Sequence, residues 1–266
     1  MIPKIIHYCW FGHNPIPKLA EKCIASWRKY LPDYEIRLWN EDNFDVNMVP
    51  YTKEAYSQKK YAFVSDYARF WILYNFGGLY FDTDVEIIKP LDEIIAQGPF
   101  MGCEQDYIPM PNGSYEKGNG PAVNPGLGIG AEAHMDLYKE ILDQYATLKF
   151  LHADGSLNEK TVVAYTSELL TSKGLTAKDE IQCLNGLFVY PKEYCGPKDY
   201  LTNVVNVTER TLTIHHYDAS WRDKSFWCRF CTSFKKNVLL RLMPSAITHR
   251  ILALKERKRT TGSYFK

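Results

Sequence analysis

The chain has 266 residues, of which 45% are apolar, 14% aromatic and 24% charged, and its formal net charge is +1. This composition fits a folded globular protein with a sizeable core. No run approaches the ~20 apolar residues that a membrane-spanning helix needs, and the first residues lack the apolar stretch of a secretory signal. The seven cysteines are odd in number and scattered, which favours reduced thiols in a cytoplasm over a disulfide framework.

Strands and helices alternate along the predicted chain. We expect strands at 5–11, 34–39, 99–104, 187–190 and 212–215, and helices at 17–30, 51–58, 61–76, 134–145 and 160–171. This alternation indicates an α/β fold with a mostly parallel sheet and a site at the carboxyl ends of its strands. The segment 105–125 is rich in Gly, Pro and Asn and predicts a long functional loop.

Two aspartates close an apolar run just after Gly77 and Gly78. Asp82 and Asp84 are predicted to end a strand and to share one of its faces, since side chains alternate along a strand. Two carboxylates this close repel each other unless a cation lies between them. Oxygen-rich pairs of this type suit Mg²⁺ or Mn²⁺.

The helix predicted over 61–76 leads through the two glycines to the aspartate pair. Within it, Asp66 and Arg69 lie at i and i+3 and so share a face. A carboxylate that can bind sugar hydroxyls and a guanidinium that can bind a phosphate thus arrive beside the predicted metal site. A surface salt bridge is the plainer interpretation of this pair.

The motifs resemble those of glycosyltransferase family 32, a family of DXD-containing sugar transferases to whose catalytic core the clostridial glucosylating toxins are related. The matching stretches are IPKIIHYCWFG at residues 2–12, SDYAR at 65–69, LYNFGGLYFDTD at 73–84 and HHYDASW at 215–221. Their order along the chain also matches. The resemblance implies a GT-A-like nucleotide-sugar-binding fold.

The resemblance also implies roles for individual residues. Trp10 would stack on the donor base, and Asp66 and Arg69 would hold the donor sugar. Asp82 would contact ribose or sugar and reach the metal through water, while Asp84 would bind Mn²⁺ or Mg²⁺ directly. We therefore expect Asp66, Arg69 and Asp82 to be catalytic, with a UDP- or GDP-sugar as donor and retention at the anomeric carbon.

A second group of candidates follows the predicted strand at 212–215. A histidine there can complete the metal shell, and we favour His216 over His215 although their spacing does not decide between them. The indole N–H of Trp221 can donate to a phosphate or glycosidic oxygen. Ser220 and Trp221 complete the expected donor-binding set.

The charge is unevenly distributed. Residues 223–266 contain 11 Lys and Arg against 2 Asp and Glu, a balance of +9, which leaves −8 for residues 1–222. We expect residues 1–222 to form the catalytic domain and 223–266 a basic amphipathic helical tail. Such a tail suits peripheral contact with an anionic membrane, or it packs on the catalytic domain. The acidic remainder argues against nucleic-acid binding.

We interpret the chain as a metal-dependent hexosyltransferase acting on a glycan or lipid-linked acceptor in bacterial capsule or lipopolysaccharide synthesis. A non-catalytic sugar-binding protein would not need the four acidic and basic residues singled out above. A HAD-like phosphatase is disfavoured because Glu86 stands where its motif requires Thr or Val. The run Gly126-Leu-Gly-Ile-Gly130 lacks the preceding strand of a dinucleotide fingerprint and is better explained as a glycine-rich strand beside the sugar site.

Overall fold

The computed structural model describes residues 1–105, 121–199 and 203–218. Residues up to 198 together with 206–218 belong to the larger of two compact units, and everything below concerns that unit. The predicted tail at 223–266, like Ser220 and Trp221, lies outside the described residues. Within the described ranges, no helix combines the length and the apolar character that crossing a membrane requires.

Ten strands and seven helices are described. The strands are β1 (Ile5–Cys9), β2 (Glu35–Trp39), β3 (Gly78–Tyr80), β4 (Val85–Ile87), β5 (Phe100–Gln105), β6 (Ala122–Val123), β7 (Ile129–Ala131), β8 (Gln182–Leu184), β9 (Leu187–Tyr190) and β10 (Thr213–His215). The helices are α1 (Lys18–Tyr30), α2 (Pro50–Ser57), α3 (Tyr61–Phe76), α4 (Asp92–Gln97), α5 (Asp136–Thr147), α6 (Val162–Ser172) and α7 (Lys192–Cys195).

The central sheet has the strand order β2-β1-β3-β7-β5-β9-β8, with β6 beside β5. Strands β1, β2, β3, β5 and β9 run in one direction, and β6, β7 and β8 run in the other. A separate two-stranded sheet pairs β4 with β10 in antiparallel fashion. The expected α/β class with a mostly parallel central sheet is therefore confirmed.

Helices cover both faces of this sheet. On β1, Ile6 and Tyr8 pack in the cluster that contains Trp27 of α1, whereas Cys9 packs in the cluster that contains Phe70 of α3. Successive side chains of a strand point to opposite faces, so one strand supplies both cores. Helix α3 lies in the larger cluster and is buried on most sides, which explains why apolar residues surround its axis.

The predicted helix over 61–76 is confirmed as α3 with the same bounds. It ends because Gly77 adopts φ 61°, a left-handed backbone conformation that favours glycine. Gly78 also has a positive φ of 98°, and a Cβ atom there would lie 2.7 Å from the Ile5 carbonyl oxygen. The two glycines therefore let the chain leave α3 and enter β3 tightly against β1.

The prediction that a strand ends in Asp82 and Asp84 is wrong. Strand β3 ends at Tyr80, and the two aspartates lie in a turn that the amide of Val85 closes by donating to the Asp82 carbonyl at 3.0 Å. Phe81 is buried as expected, but Thr83 is only partly buried and does not face the core. The sequence does not reveal that the strand ends at Tyr80, because the buried Phe81 at the start of the turn continues the apolar run.

Candidate functional site

The Asp82 turn joins β3 to β4 and contacts the loop at Gly126. It follows β3, its amide at Asp82 donates to the Gly126 carbonyl at 3.2 Å, and it leads into β4. Asp82 and Asp84 contact different partners, because in a turn the two side chains do not share a strand face. Each aspartate therefore has its own environment.

Asp82 is joined to helix α3 through Arg69. The Nη2 atom of Arg69 lies 2.9 Å from Oδ1 of Asp66 and 3.3 Å from Oδ1 of Asp82. The hydroxyl of Tyr80 donates to the same Asp82 oxygen at 3.0 Å, and the guanidinium stacks 5.0 Å from the centre of the Tyr80 ring. The i, i+3 pair predicted from the sequence is thus a buried ion pair that extends to the aspartate turn.

Burial dominates the electrostatics of this pair. It raises the pKa of Asp66 to about 7, since Arg69 and a backbone hydrogen bond from Val162 offset only part of the desolvation and Asp82 adds repulsion. Burial alone would lower the pKa of Arg69, but Asp82, Tyr80 and Asp66 raise it above its ordinary value. Arg69 therefore stays charged while Asp66 is close to titration at neutral pH.

Asp84 faces the second sheet. Its Oδ1 lies 3.0 Å from Nε2 of His215, and its Oδ2 accepts a 2.8 Å hydrogen bond from the amide of Asp218. These contacts outweigh burial and hold the pKa of Asp84 well below its usual range. Burial lowers the pKa of His215, but the charge and hydrogen bond of Asp84 more than compensate, so the net shift is upward.

The two histidines have separate partners. His216, which the sequence analysis favoured, places its Nε2 atom 2.9 Å from Glu86, and Glu86 also pairs with Lys22 at 2.9 Å. Adjacent side chains at a strand end point to opposite sides, so only one imidazole meets the Asp84 carboxylate. In this structure that imidazole belongs to His215. The backbone amide of His216 donates instead to the Asp84 carbonyl, at 2.9 Å.

Sequence analysis missed Asn124 and Glu104. Asn124 is buried, accepts a 2.7 Å hydrogen bond from the Gly126 amide and donates to Glu104 at 2.8 Å. Gly126 lies against Asp82, because a Cβ atom on it would be 2.1 Å from the Asp82 Oδ2 atom. The Gly-, Pro- and Asn-rich segment 105–125 indicated a functional loop, and Asn124 belongs to it. Spacing alone does not reveal which polar residue of that segment points into the protein.

Trp10 follows β1 at the carboxyl end of the strand. It is partly buried, its amide donates to the Trp39 carbonyl at 2.9 Å, and its indole nitrogen donates to the Asn14 carbonyl at 2.6 Å. Its neighbour Gly12 is held by Glu41, which accepts from the Gly12 amide at 2.6 Å. The indole is therefore held at the expected end of the strand by its own loop.

The donor atoms near Asp84 fit a cation that protein and ligand would share. Carboxylate oxygens suit Mn²⁺ and Mg²⁺, and the buried Nδ1 atom of His215 has no hydrogen-bond partner among the described residues. In the part of the chain that the structure describes, no group of three or more His, Cys, Asp or Glu residues could hold a metal. Such a cation would need ligand oxygens from a bound molecule.

Part of the chain matches a known protein family. Residues 17–101, which include α3 and the aspartate turn, match the family described as "Glycosyltransferase sugar-binding region containing DXD motif". The resemblance to DXD-containing glycosyltransferases of family 32 is thereby confirmed for this region of the chain.

Two curated relatives and one solved structure illustrate the similarity. Inositol phosphoceramide mannosyltransferase 1 of Schizosaccharomyces pombe is 30% identical over 111 residues, 38% of this chain and 33% of the relative. Inositol phosphoceramide mannosyltransferase 3 of the same yeast is 35% identical over 101 residues, 35% of this chain and 27% of the relative. The chain thus spans about a third of the length of the curated relatives it matches. The solved PaToxG glycosyltransferase is 18% identical over 65% of this chain and 70% of its own, with a TM-score of 0.43.

Proposed function

We propose that this chain is a metal-dependent, retaining glycosyltransferase that moves a sugar from a nucleotide-sugar to a glycan or lipid-linked acceptor. The observation that carries this proposal is the Arg69 guanidinium, which joins Asp66 of α3 to Asp82 of the turn. It lies in the region that matches a sugar-binding DXD family.

The exposed fractions of the three charged side chains support different roles for them. The Arg69 side chain is 4% exposed and that of Asp66 11%, whereas that of Asp82 is 29% exposed. Asp82 is therefore the group of this set best able to meet a ligand, and Arg69 would orient it and hold Asp66. The carboxylates would accept hydrogen bonds from donor hydroxyls, as the resemblance implies.

Asp84 and His215 support a metal-assisted reaction. Asp84 would bind Mn²⁺ or Mg²⁺ directly, Asp82 would reach the cation through water, and the diphosphate of the donor would supply further oxygen ligands. His215 would hold the Asp84 carboxylate, where the sequence analysis favoured His216 as a metal ligand. The cation would act as a Lewis acid that neutralises the diphosphate as leaving group. Trp10 would stack on the donor base, an interaction worth ~1–3 kcal/mol for aromatic residues.

Retention at the anomeric carbon would follow a front-face path. A double displacement needs a carboxylate nucleophile about 5 Å from its partner carboxyl. Among the described residues, no carboxylate stands out as such a nucleophile: Asp66 and Asp82 pair with Arg69, and Asp84 pairs with His215. The departing diphosphate oxygen would then take the proton of the acceptor hydroxyl.

The relatives' names guide the choice of substrates. Both are mannosyltransferases that act on inositol phosphoceramide, which favours a hexosyl donor with a UDP or GDP carrier and a lipid-linked acceptor. A cytoplasmic setting in bacterial surface polysaccharide synthesis stays a prediction from the sequence. The same holds for contact between residues 223–266 and anionic lipid, which vesicle sedimentation before and after truncation at residue 222 would test.

Donor hydrolysis tests the proposal. The full chain is incubated with a panel of UDP- and GDP-sugars and Mn²⁺, and free sugar and nucleoside diphosphate are quantified. We expect slow hydrolysis of at least one donor, lost in Asp84→Ala and kept in Asp92→Ala, which alters an exposed aspartate of α4. Release of phosphate from phosphomonoesters would instead indicate a phosphatase, and sugar binding without turnover a binding protein.

A further inference from the structure

Helix α1 contacts the edge of β4 that β10 does not pair with. Three of its side chains make these contacts: Lys22 pairs with Glu86 at 2.9 Å, Ser26 accepts from the Ile87 amide at 2.9 Å, and Trp27 donates to the Val85 carbonyl at 2.8 Å. An unpaired strand edge exposes backbone groups that need partners. Side chains of α1 thus replace a neighbouring strand.

Trp27 differs from the other two because it contacts both ends of the aspartate turn. Its ring lies 5.5 Å from the ring of Phe81, the residue before Asp82. Its indole N–H binds Val85, the residue after Asp84. Trp27 is fully buried, so these two contacts are rigid compared with those of a surface side chain.

Phe81 is also confined by Gly128. A Cβ atom on Gly128 would lie 2.6 Å from the Phe81 ring, so the ring has close neighbours in both Gly128 and Trp27. The position of Phe81 is therefore set by its neighbours, and Val85 is set by the indole. The five-residue segment from Phe81 to Val85 contains both aspartates. The side chain of Trp27 contacts this segment at each end.

We infer that Trp27 is a positioning residue that sets the geometry of the Asp82 and Asp84 carboxylates for the cation and diphosphate of the donor. This inference rests on the proposed function. Trp27 touches neither carboxylate, and it acts through Phe81 and Val85. A preorganised pair of ligands loses less freedom on binding than a mobile pair, so weakening one end of the turn should weaken metal binding.

The test compares Trp27→Phe with Ser26→Ala. Trp27→Phe keeps an aromatic ring but removes the hydrogen bond at the turn. Ser26→Ala removes a similar hydrogen bond to the same strand two residues farther on. Mn²⁺ affinity is measured by electron paramagnetic resonance of the free ion, with UDP or GDP present, and the free energy of unfolding is measured by urea denaturation.

We expect Trp27→Phe to weaken Mn²⁺ binding by about threefold to tenfold, because the turn must then be ordered when the ion binds. Ser26→Ala should change this affinity less than about twofold, because its hydrogen bond lies outside the turn. Equal Mn²⁺ affinity in Trp27→Phe and wild type would overturn the inference, as would equal losses in both variants. If Trp27→Phe does not fold, Phe81→Leu replaces it, and wild-type affinity there would be equally decisive.

Mn²⁺ binding by the wild-type chain distinguishes a failure of the proposed function from a failure of the positioning role of Trp27. If it binds no Mn²⁺ with either nucleoside diphosphate, the proposed metal-dependent function fails. If it binds Mn²⁺ and the Trp27 variant binds equally well, the positioning role alone fails.

Discussion

The guanidinium of Arg69 lies between two carboxylates from different elements, 2.9 Å from Asp66 of α3 and 3.3 Å from Asp82 of the following turn. One cation therefore stabilises both the helix and the turn. Because Arg69 and Asp66 are buried, losing the charge of Arg69 should cost more stability than losing a surface ion pair.

We expect Arg69→Ala to lower the free energy of unfolding by roughly 3 kcal/mol or more, since it leaves two carboxylates without their buried cation. Urea denaturation at pH 7.5 measures this. Arg37→Ala is the matched control, because Arg37 is one-third exposed and pairs with nearby Glu35. That variant should lose less than about 1 kcal/mol, and equal losses in both would mean that the Arg69 pair behaves like a surface pair.

The pKa of Asp66 predicts a pH dependence of stability. Folding raises this pKa from 3.8 to about 7, so between these values the folded protein binds more protons than the unfolded chain. The contribution of Asp66 to stability therefore falls as pH rises from about 4 to 7 and is constant above that.

We expect Asp66→Asn to remove this contribution. The difference in unfolding free energy between pH 5 and pH 7.5 should shrink relative to wild type by at least about 1 kcal/mol, the value of roughly one pKa unit. Asp33→Asn, at an exposed aspartate, should leave the difference as it is in wild type. A pH profile of Asp66→Asn that overlays the wild-type profile would exclude the raised pKa.

Much of the fold was predictable because its signals are local. Helix α3 has 3–4 periodicity and a glycine stop, and its predicted bounds are those observed. Strand β9 was also predicted with the observed bounds, at Leu187–Tyr190. Strands β6 and β8 and the short helices α4 and α7 escaped prediction, because two to six residues carry too little periodicity to be recognised.

The site was only partly predictable. The Asp66–Arg69 pair could be expected from helical spacing, but its burial and its contact with Asp82 depend on how α3 packs on β1. The turn at Asp82 was mistaken for a strand because a buried Phe81 looks the same in both. The choice between His215 and His216 depends on the pairing of β10 with β4, a long-range contact that no local pattern encodes.

The two histidines give a direct comparison. His215→Ala should weaken Mn²⁺ binding in the presence of nucleoside diphosphate by about tenfold or more, as loss of a ligand or its close partner does at other metal sites. His216→Ala should have a much smaller effect, because that imidazole contacts Glu86 and not Asp84. Titration of Mn²⁺ by calorimetry measures both, and the reverse order would restore the choice of His216 made from the sequence.

Gly126 allows the position of Asp82 to be tested without altering any charge. A Cβ atom on Gly126 would lie 2.1 Å from Asp82 Oδ2 and 3.0 Å from Asn124 Oδ1, so Gly126→Ala must displace the Asp82 carboxylate. Gly126 does not adopt a left-handed backbone conformation, and alanine therefore adds no backbone strain there.

We expect Gly126→Ala to reduce donor hydrolysis by about tenfold or more while the protein stays folded, since small misplacements of a catalytic group are costly. Gly186→Ala is the matched control: a Cβ atom there meets nothing within 4 Å, but φ is 85°. It should lose about 1 kcal/mol of stability through backbone strain and keep its activity per folded molecule. Hydrolysis rates normalised to the folded fraction, measured by circular dichroism, decide between the two effects. An active Gly126→Ala variant would mean that Asp82 can move without consequence, and would remove it from the catalytic set.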